Sequence, residues 1–335
     1  MSKADASDTA NCSLPTAYCL LPTAHCQLPL MNHTFDILAV GELLADFIGQ
    51  EIATNLVDTA TFERFQGGSP ANMAANMARL GNRAAIVSCV GLDNIGAYLV
   101  GQVAKAGVDT QYIVRSIYEP TSIVLVSRTK GTPDFIAYRQ ADRQIMPYHL
   151  PDTLLSQARI FHTTCFALSQ QPAQSAIVDA AQRASRVGCQ VSIDCNYAPS
   201  IWPDRDQAWH VIGDYCSAGA LVKLSEDDAA RLYGEPQTTD QIIRDFHAMG
   251  ATLVCLTLGA EGSIVSSNGG TDRVQLPGRK IDVIDVTGAG DAYWAGFLTA
   301  WLQNRTPAQC VDAGAKIAAL KLTTKGPLPN GIRIA

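Results

Sequence analysis

Beyond its first thirty residues the sequence has no C-x-x-C pair, and its six histidines form no H-x-x-x-H pair. These absences remove the usual zinc spacings. No G-x-x-x-x-G-K loop occurs, and no G-x-G-x-x-G follows the first apolar run, so two common nucleotide-binding signatures are missing. Charge is sparse: 17% of the 335 residues are charged, and 25 basic against 31 acidic residues leave a formal net charge of -6. A chain that reads nucleic-acid phosphates through bulk charge leans basic, so that class is excluded as a first reading. At 47% hydrophobic the chain is too apolar for a disordered solvating protein. A chain this long buries enough surface for one large α/β core or two medium domains.

From Thr9 to Phe35 there is no Asp, Glu, Lys or Arg, which superficially resembles a signal or membrane segment. Pro15, Pro22 and Pro29 recur every seventh residue within a C-x-L-P repeat, and no spanning helix survives that spacing. The single Lys3 and the very short apolar runs also fail to make a secretory leader. Residues 1–30 are therefore expected to be a disordered or spurious leader, with Met31 as the natural start. The other cysteines are scattered, mostly in apolar runs such as LVCLTLG, where a thiol acts as a small hydrophobe. They fit a reducing, cytoplasmic setting without a membrane.

After Met31, short β-branched runs alternate with helical periods, which predicts an α/β fold with a mainly parallel sheet. Strands are expected at 37–40, 85–90, 160–164, 190–194, 220–224, 252–257 and 263–266. Helices are expected at 70–80, 95–106, 173–187, 240–249, 291–303 and 307–324. Segments 53–65 and 121–138 break the rhythm; the second reads as a hairpin turning at Lys130-Gly131, and together they suggest a small β lid. No long linker divides residues 31–335, which are expected to form one domain. Ligands of open parallel sheets bind beyond the carboxyl ends of strands, which is where Asp194, Asn196 and Gly259 fall.

Two glycine turns carry candidate chemistry. In Asp285-Val-Thr-Gly-Ala-Gly-Asp291, followed by AYWAGFLTAWLQN, the N–H groups of Gly288, Ala289 and Gly290 can face an anion at a helix start. A carboxylate beside such a turn disfavours plain anion binding but suits a general base acting on an attacking hydroxyl. A capping aspartate after turn glycines fits the same pattern. In Gln66-Gly-Gly-Ser-Pro-Ala-Asn72, Ser69 reads as an N-cap with Pro70 at N1, and Gly67 and Gly68 allow close backbone approach to a ligand. A tight turn before a helix fits that pattern as well.

GGSPAN, then ARLGNRAAIVSCVGLDNIG, and DVTGAGD about two hundred residues later together resemble the two signatures of the ribokinase-like, pfkB-type sugar kinases. The resemblance runs from about Asp36 to about Pro329. It implies a three-layer α/β/α ribokinase-like fold with a small β-sheet lid, and ATP-dependent phosphorylation of a sugar. By resemblance, Asp291 is the base and Gly288, Ala289 and Gly290 steady the transferred phosphoryl group. Asp46, Gly67, Gly68 and Asn72 hold sugar hydroxyls, and Arg139 is a lid arginine meeting the substrate. Read alone, Asp46 also fits a loop residue and Arg139 a solvated surface residue. Asp194, Asn196, Lys223, Thr257, Gly259 and Gly262 match the nucleotide-binding strand ends, although TLGAEG also fits a plain strand turn. Mg²⁺ rests mainly on phosphates and water, with Asp228 contacting it through water. A monovalent cation, K⁺, is a further implied cofactor, and a homodimer through the lid a further implied assembly.

Several positions depart from the family pattern, Ser225 for asparagine and Val286 for threonine being the milder ones. Ala198 stands where D-x-N-x-R-x-x-x-W has arginine, and Asp228 replaces the glutamate of N-x-x-E. The expected function is phosphoryl transfer from ATP to a hydroxyl of a ketose or keto-sugar acid, fructose first and 2-keto-3-deoxygluconate next. The departures motivate an alternative, a catalytically weak sugar- or nucleotide-binding regulatory protein. An NAD-dependent oxidoreductase is disfavoured, because GAGDAY comes late and places Tyr293 where a small residue is needed.

Overall fold

In the computed structural model, residues 33–129, 134–324 and 326–334 are described. The leader 1–30 and the hairpin turn at Lys130-Gly131 lie outside them. The strands are β1 Phe35–Val40, β2 Leu44–Ile52, β3 Phe62–Gly67, β4 Ala84–Gly91, β5 Ile113–Ser116, β6 Ile123–Arg128, β7 Phe135–Tyr138, β8 Ala158–Thr164, β9 Gln190–Asp194, β10 Leu221–Ser225, β11 Leu253–Thr257, β12 Ser263–Ser267 and β13 Asp272–Leu276. The helices are α1 Ser69–Arg79, α2 Asn94–Lys105, α3 Asp152–Leu155, α4 Ala173–Arg186, α5 Arg205–Cys216, α6 Glu226–Tyr233, α7 Thr239–Ala248, α8 Ala289–Leu302 and α9 Pro307–Leu322.

Nine strands form one sheet in the order β13-β12-β11-β10-β9-β8-β1-β4-β5. From β11 through β5 every pairing is parallel; only β12 and β13 pair antiparallel. Successive strand residues point to opposite faces, and β1 shows the result: Leu38 and Val40 join a core with α3, α4, α5, α6 and α7, while Ile37 and Ala39 join one with α1, α2, α8 and α9. The expected three layers follow. Chain order reverses at β1, which has β4 on one side and β8 on the other, so a crevice is expected beyond its carboxyl end.

A second sheet, β3-β2-β6-β7, is the expected small β element with one more strand than the sequence suggested. Segment 53–65 contributes only a 3-10 turn at Leu56–Asp58 and the start of β3. The unforeseen strand is β2, whose run LADFIGQEI lacks clean alternation because buried and half-buried residues follow one another along it. Asp46 accordingly sits on an inner strand, paired with Phe65 and Val124, and not in a loop. Helices α5 and α6 were likewise unforeseen. Their polar sequences, RDQAWHVIGDYC and EDDAARLY, bury only a narrow stripe. The described residues from His33 onward cluster as one compact unit.

Candidate active site

Ten residues of α8, from Ala292 to Leu302, are buried, so the helix is fixed in the core, and its amino end lies beside Lys223 of β10. Gly288 caps it at φ 72°, a left-handed conformation that a side chain disfavours. The Ala289 N–H is spent closing this turn on Val286 O at 3.2 Å, so Gly288 and Gly290 are left to offer N–H groups to an anion. That narrows the expected trio, because a tight turn must satisfy one of its own amides.

Asp291 lies in the first turn of α8, and donors from the other glycine motif grip both of its oxygens. The Ser69 hydroxyl donates to Oδ1 at 2.6 Å and the Asn72 amide to Oδ2 at 3.0 Å. Burial pushes the Asp291 carboxyl above its ordinary pKa, and these two donors, then the Lys223 and Lys321 charges, pull against it without cancelling it. Ser69 is therefore not the N-cap that the sequence suggested. Gly68, at φ 96°, caps α1 without a side-chain bond, and Ser69 enters the first turn with its hydroxyl free to reach a charged acceptor. Asn72 also accepts from Gln66 Nε2 at 2.8 Å.

Asp46 completes the group. A Cβ on Gly67 would overlap its carboxylate, so glycine there is required by close approach. Burial, and then the Asp291 charge, push the Asp46 pKa up to about 7. Gly68 lies equally close to the Glu42 carbonyl. Glu42 itself was missed in the sequence reading: it is buried, accepts from the Ser69 N–H at 3.1 Å and from Thr164 Oγ1 at 3.2 Å, and burial lifts its pKa to about 8.

Arg139 is buried, which overturns the surface reading. Its guanidinium pairs with Asp142 at 2.5 Å, donates to Phe166 O and Ser169 Oγ, and lies over the Phe166 ring. Its charge also acts on Glu42. The three-residue spacing to Asp142 was the available signal.

The nucleotide candidates gather at neighbouring strand ends. Lys223 and Asp194 are in register on β10 and β9, and Lys223 Nζ donates to both Asp194 oxygens at 3.0 and 2.8 Å. Nζ also borders the anion turn, since a Cβ on Gly290 would meet it at 2.9 Å. Thr257 pairs with Ser225 at the end of β11. Gly259, at φ 55°, faces open space, whereas Gly262 packs tightly against Leu276 and Gly278. Asn196 accepts from the Phe166 N–H at 3.3 Å.

Asp228 is committed within the protein. One oxygen accepts from Ser225 in a capping box and the other from Arg231 at 2.6 Å. Among the described residues no group of three His, Cys, Asp or Glu could hold a metal ion. Mg²⁺ fits this site only if phosphates and water supply most of its ligands. Beside Ala198, Arg231 Nε donates to Tyr197 O at 3.1 Å, so a guanidinium does reach that loop, from α6. A cavity of about 910 Å³ opens there between Tyr197, Trp202, Arg205 and Arg231, but none of the residues around Asp291 lines it. No helix among the described residues is long and apolar enough to cross a membrane.

A model of the pfkB family of carbohydrate kinases matches residues 34–331. The chain is 33% identical over 294 residues to an ATP-dependent 6-phosphofructokinase of Thermoanaerobacterium thermosaccharolyticum, covering 88% of this chain and 90% of that one. It is 32% identical to the probable chloroplastic fructokinase-6 of Arabidopsis thaliana, over 78% of this chain and 69% of that one. The solved fructokinase of Halothermothrix orenii superposes with a TM-score of 0.75 at 30% identity, covering 88% and 100% of the two chains. A sugar kinase of Pyrococcus horikoshii in complex with ATP superposes at 0.77 with 26% identity, covering 87% and 93%. With the two glycine turns meeting at Asp291 on this fold, the chain belongs to the pfkB family of carbohydrate kinases, sugar phosphotransferases of ribokinase-like architecture.

Proposed function

We propose that the chain transfers the γ-phosphoryl group of ATP to a hydroxyl of a ketose or keto-sugar acid, with fructose the first candidate and 2-keto-3-deoxygluconate the next. One observation carries this reading: Asp291 stands at the amino end of α8 while Ser69 and Asn72, from the opposite motif, hold both of its oxygens. A carboxylate so placed can accept the proton of a sugar hydroxyl as that oxygen attacks a phosphoryl group lying on the Gly288–Gly290 turn. The turn and Lys223 supply positive potential where charge spreads in the transition state. Asp46, Gly67, Gly68 and Asn72, gathered near Asp291, are assigned to the sugar. Arg139 acts behind them through Asp142 and the neighbourhood of Glu42. Asp194, Asn196, Thr257, Gly259 and Gly262 are assigned to the nucleotide side. Mg²⁺ would neutralise the phosphates from a largely hydrated position, with Asp228 at most beyond its water shell.

Relatives named as fructokinases, and one as a 6-phosphofructokinase, support a ketose acceptor; the solved complex of a relative with ATP supports the donor. The regulatory alternative has less support, because Asp291 and its two donors are intact and Arg231 reaches the loop that lacks an arginine at Ala198. The test is ADP formation from ATP and Mg²⁺ across fructose, fructose 6-phosphate, 2-keto-3-deoxygluconate and ribose, repeated with Asp291→Asn. The expected result is turnover on a ketose and a fall in kcat of about 10²–10⁴-fold in the variant. Failure with every keto-sugar, or unchanged turnover in the variant, overturns the proposal.

A further inference from the structure

Asp285 opens the turn that ends at Asp291, and both of its oxygens are occupied. Oδ1 accepts from the Thr287 N–H at 2.9 Å, and Oδ2 accepts from Lys321 Nζ at 3.3 Å. The Lys321 side chain is only 9% exposed. Helix α9 is fastened to the same stretch, since the N–H groups of Ile284 and Asp285 both donate to Leu322 O, at 2.8 and 3.2 Å. The ammonium therefore lies against the turn: a Cβ on Gly288 would stand 3.9 Å from Lys321 Cε, and the Lys321 charge acts on Asp291.

The monovalent cation implied by the family resemblance would meet the Val286 backbone, next to Asp285, and needs oxygen ligands free of other cations. The Asp285 carboxylate is not free in this sense. The carboxylate that would attract the ion already neutralises an ammonium, and a second unit charge a few ångströms away would be repelled. Lysine is a compact point charge and here needs no binding from solution.

We infer that Lys321 is a built-in monovalent cation: its ammonium, held by Asp285, supplies under the phosphate-binding turn the charge that K⁺ would otherwise bring. The inference rests on the turn's role proposed above. It makes the kinase indifferent to K⁺ and makes Lys321 a positioning residue for the turn.

The experiment compares the intact chain and Lys321→Met in KCl, NH₄Cl and choline chloride at equal ionic strength, reading sugar-dependent ADP formation and Tm. Wild-type turnover is expected to change less than about twofold between salts, whereas Lys321→Met loses about tenfold or more in choline and recovers in KCl or NH₄Cl. Its Tm should rise in KCl over choline, while the wild-type Tm should not. Lys321→Gln, which can still bond Asp285, replaces the methionine variant if that does not fold. Strong K⁺ activation of the wild type, or variants whose activity and Tm ignore the salt, overturns the inference. If no sugar supports turnover, the proposed function fails instead, and the melting comparison still decides the role of Lys321.

Discussion

The Ser69 hydroxyl donates to Asp291 Oδ1 at 2.6 Å across 222 residues of sequence, joining the two glycine motifs through one short hydrogen bond. Burial raises the Asp291 pKa and this bond is the largest opposing influence, followed by Asn72 and the charges of Lys223 and Lys321. The Asp291 charge in turn helps to raise the pKa of Asp46, on β2. Ser69→Ala removes a donor to the ionised form, so the carboxyl should hold its proton to higher pH. The acid limb of kcat/KM is expected to move up by about one pH unit. A pH–rate profile checks it; a variant that merely loosens the fold would lower the plateau and leave the limb in place.

What was legible in the sequence followed from local rules. Turn glycines, strand runs between polar ends and the hydrophobic α8 all express their structure within a few residues, and most of the central sheet fell where these signals placed it. The inner strand β2 did not, because a strand of a small sheet with half-buried residues shows little alternation. Within the site, Asp291, Asn72, Asp46 and Gly67 were legible as motif members, but their meeting was not. The functions of Ser69, Glu42 and Lys321 depend on partners far along the chain, and no local pattern announces a hydroxyl that bypasses its own helix cap.

Glu42 carries a pH dependence of stability. It is 2% exposed, and burial raises its pKa from 4.5 to about 8 against the pull of Arg139. A carboxyl with a raised folded-state pKa contributes stability that is fully present below its unfolded value and lost as pH rises through the folded one. Unfolding free energy should therefore decline from about pH 5 to about pH 9, by at most about 1.4 kcal/mol per pH unit for this group. Glu42→Gln keeps an acceptor for the Ser69 N–H and should make the decline shallower, leaving the comparable contribution of Asp46, raised from 3.8 to about 7, and those of Asp194 and Asp291. Urea titrations across that range decide it: parallel losses in wild type and variant would clear Glu42.

Lys223 and Asp194 form a buried ion pair, with side chains 5% and 4% exposed. Burial works to lower the lysine pKa, but the Asp194 and Asp228 charges outweigh it and keep the ammonium protonated. Lys223→Met would strand a buried carboxylate and is expected to cost about 3–5 kcal/mol. Adding Asp194→Asn removes that stranded charge, so the double variant should regain much of the stability. It should not regain affinity for ATP if Nζ serves the turn it borders at Gly290. Chemical denaturation beside the KM for ATP separates the two effects. Recovery of both together would make Lys223 a partner of Asp194 alone, with no part in holding phosphate.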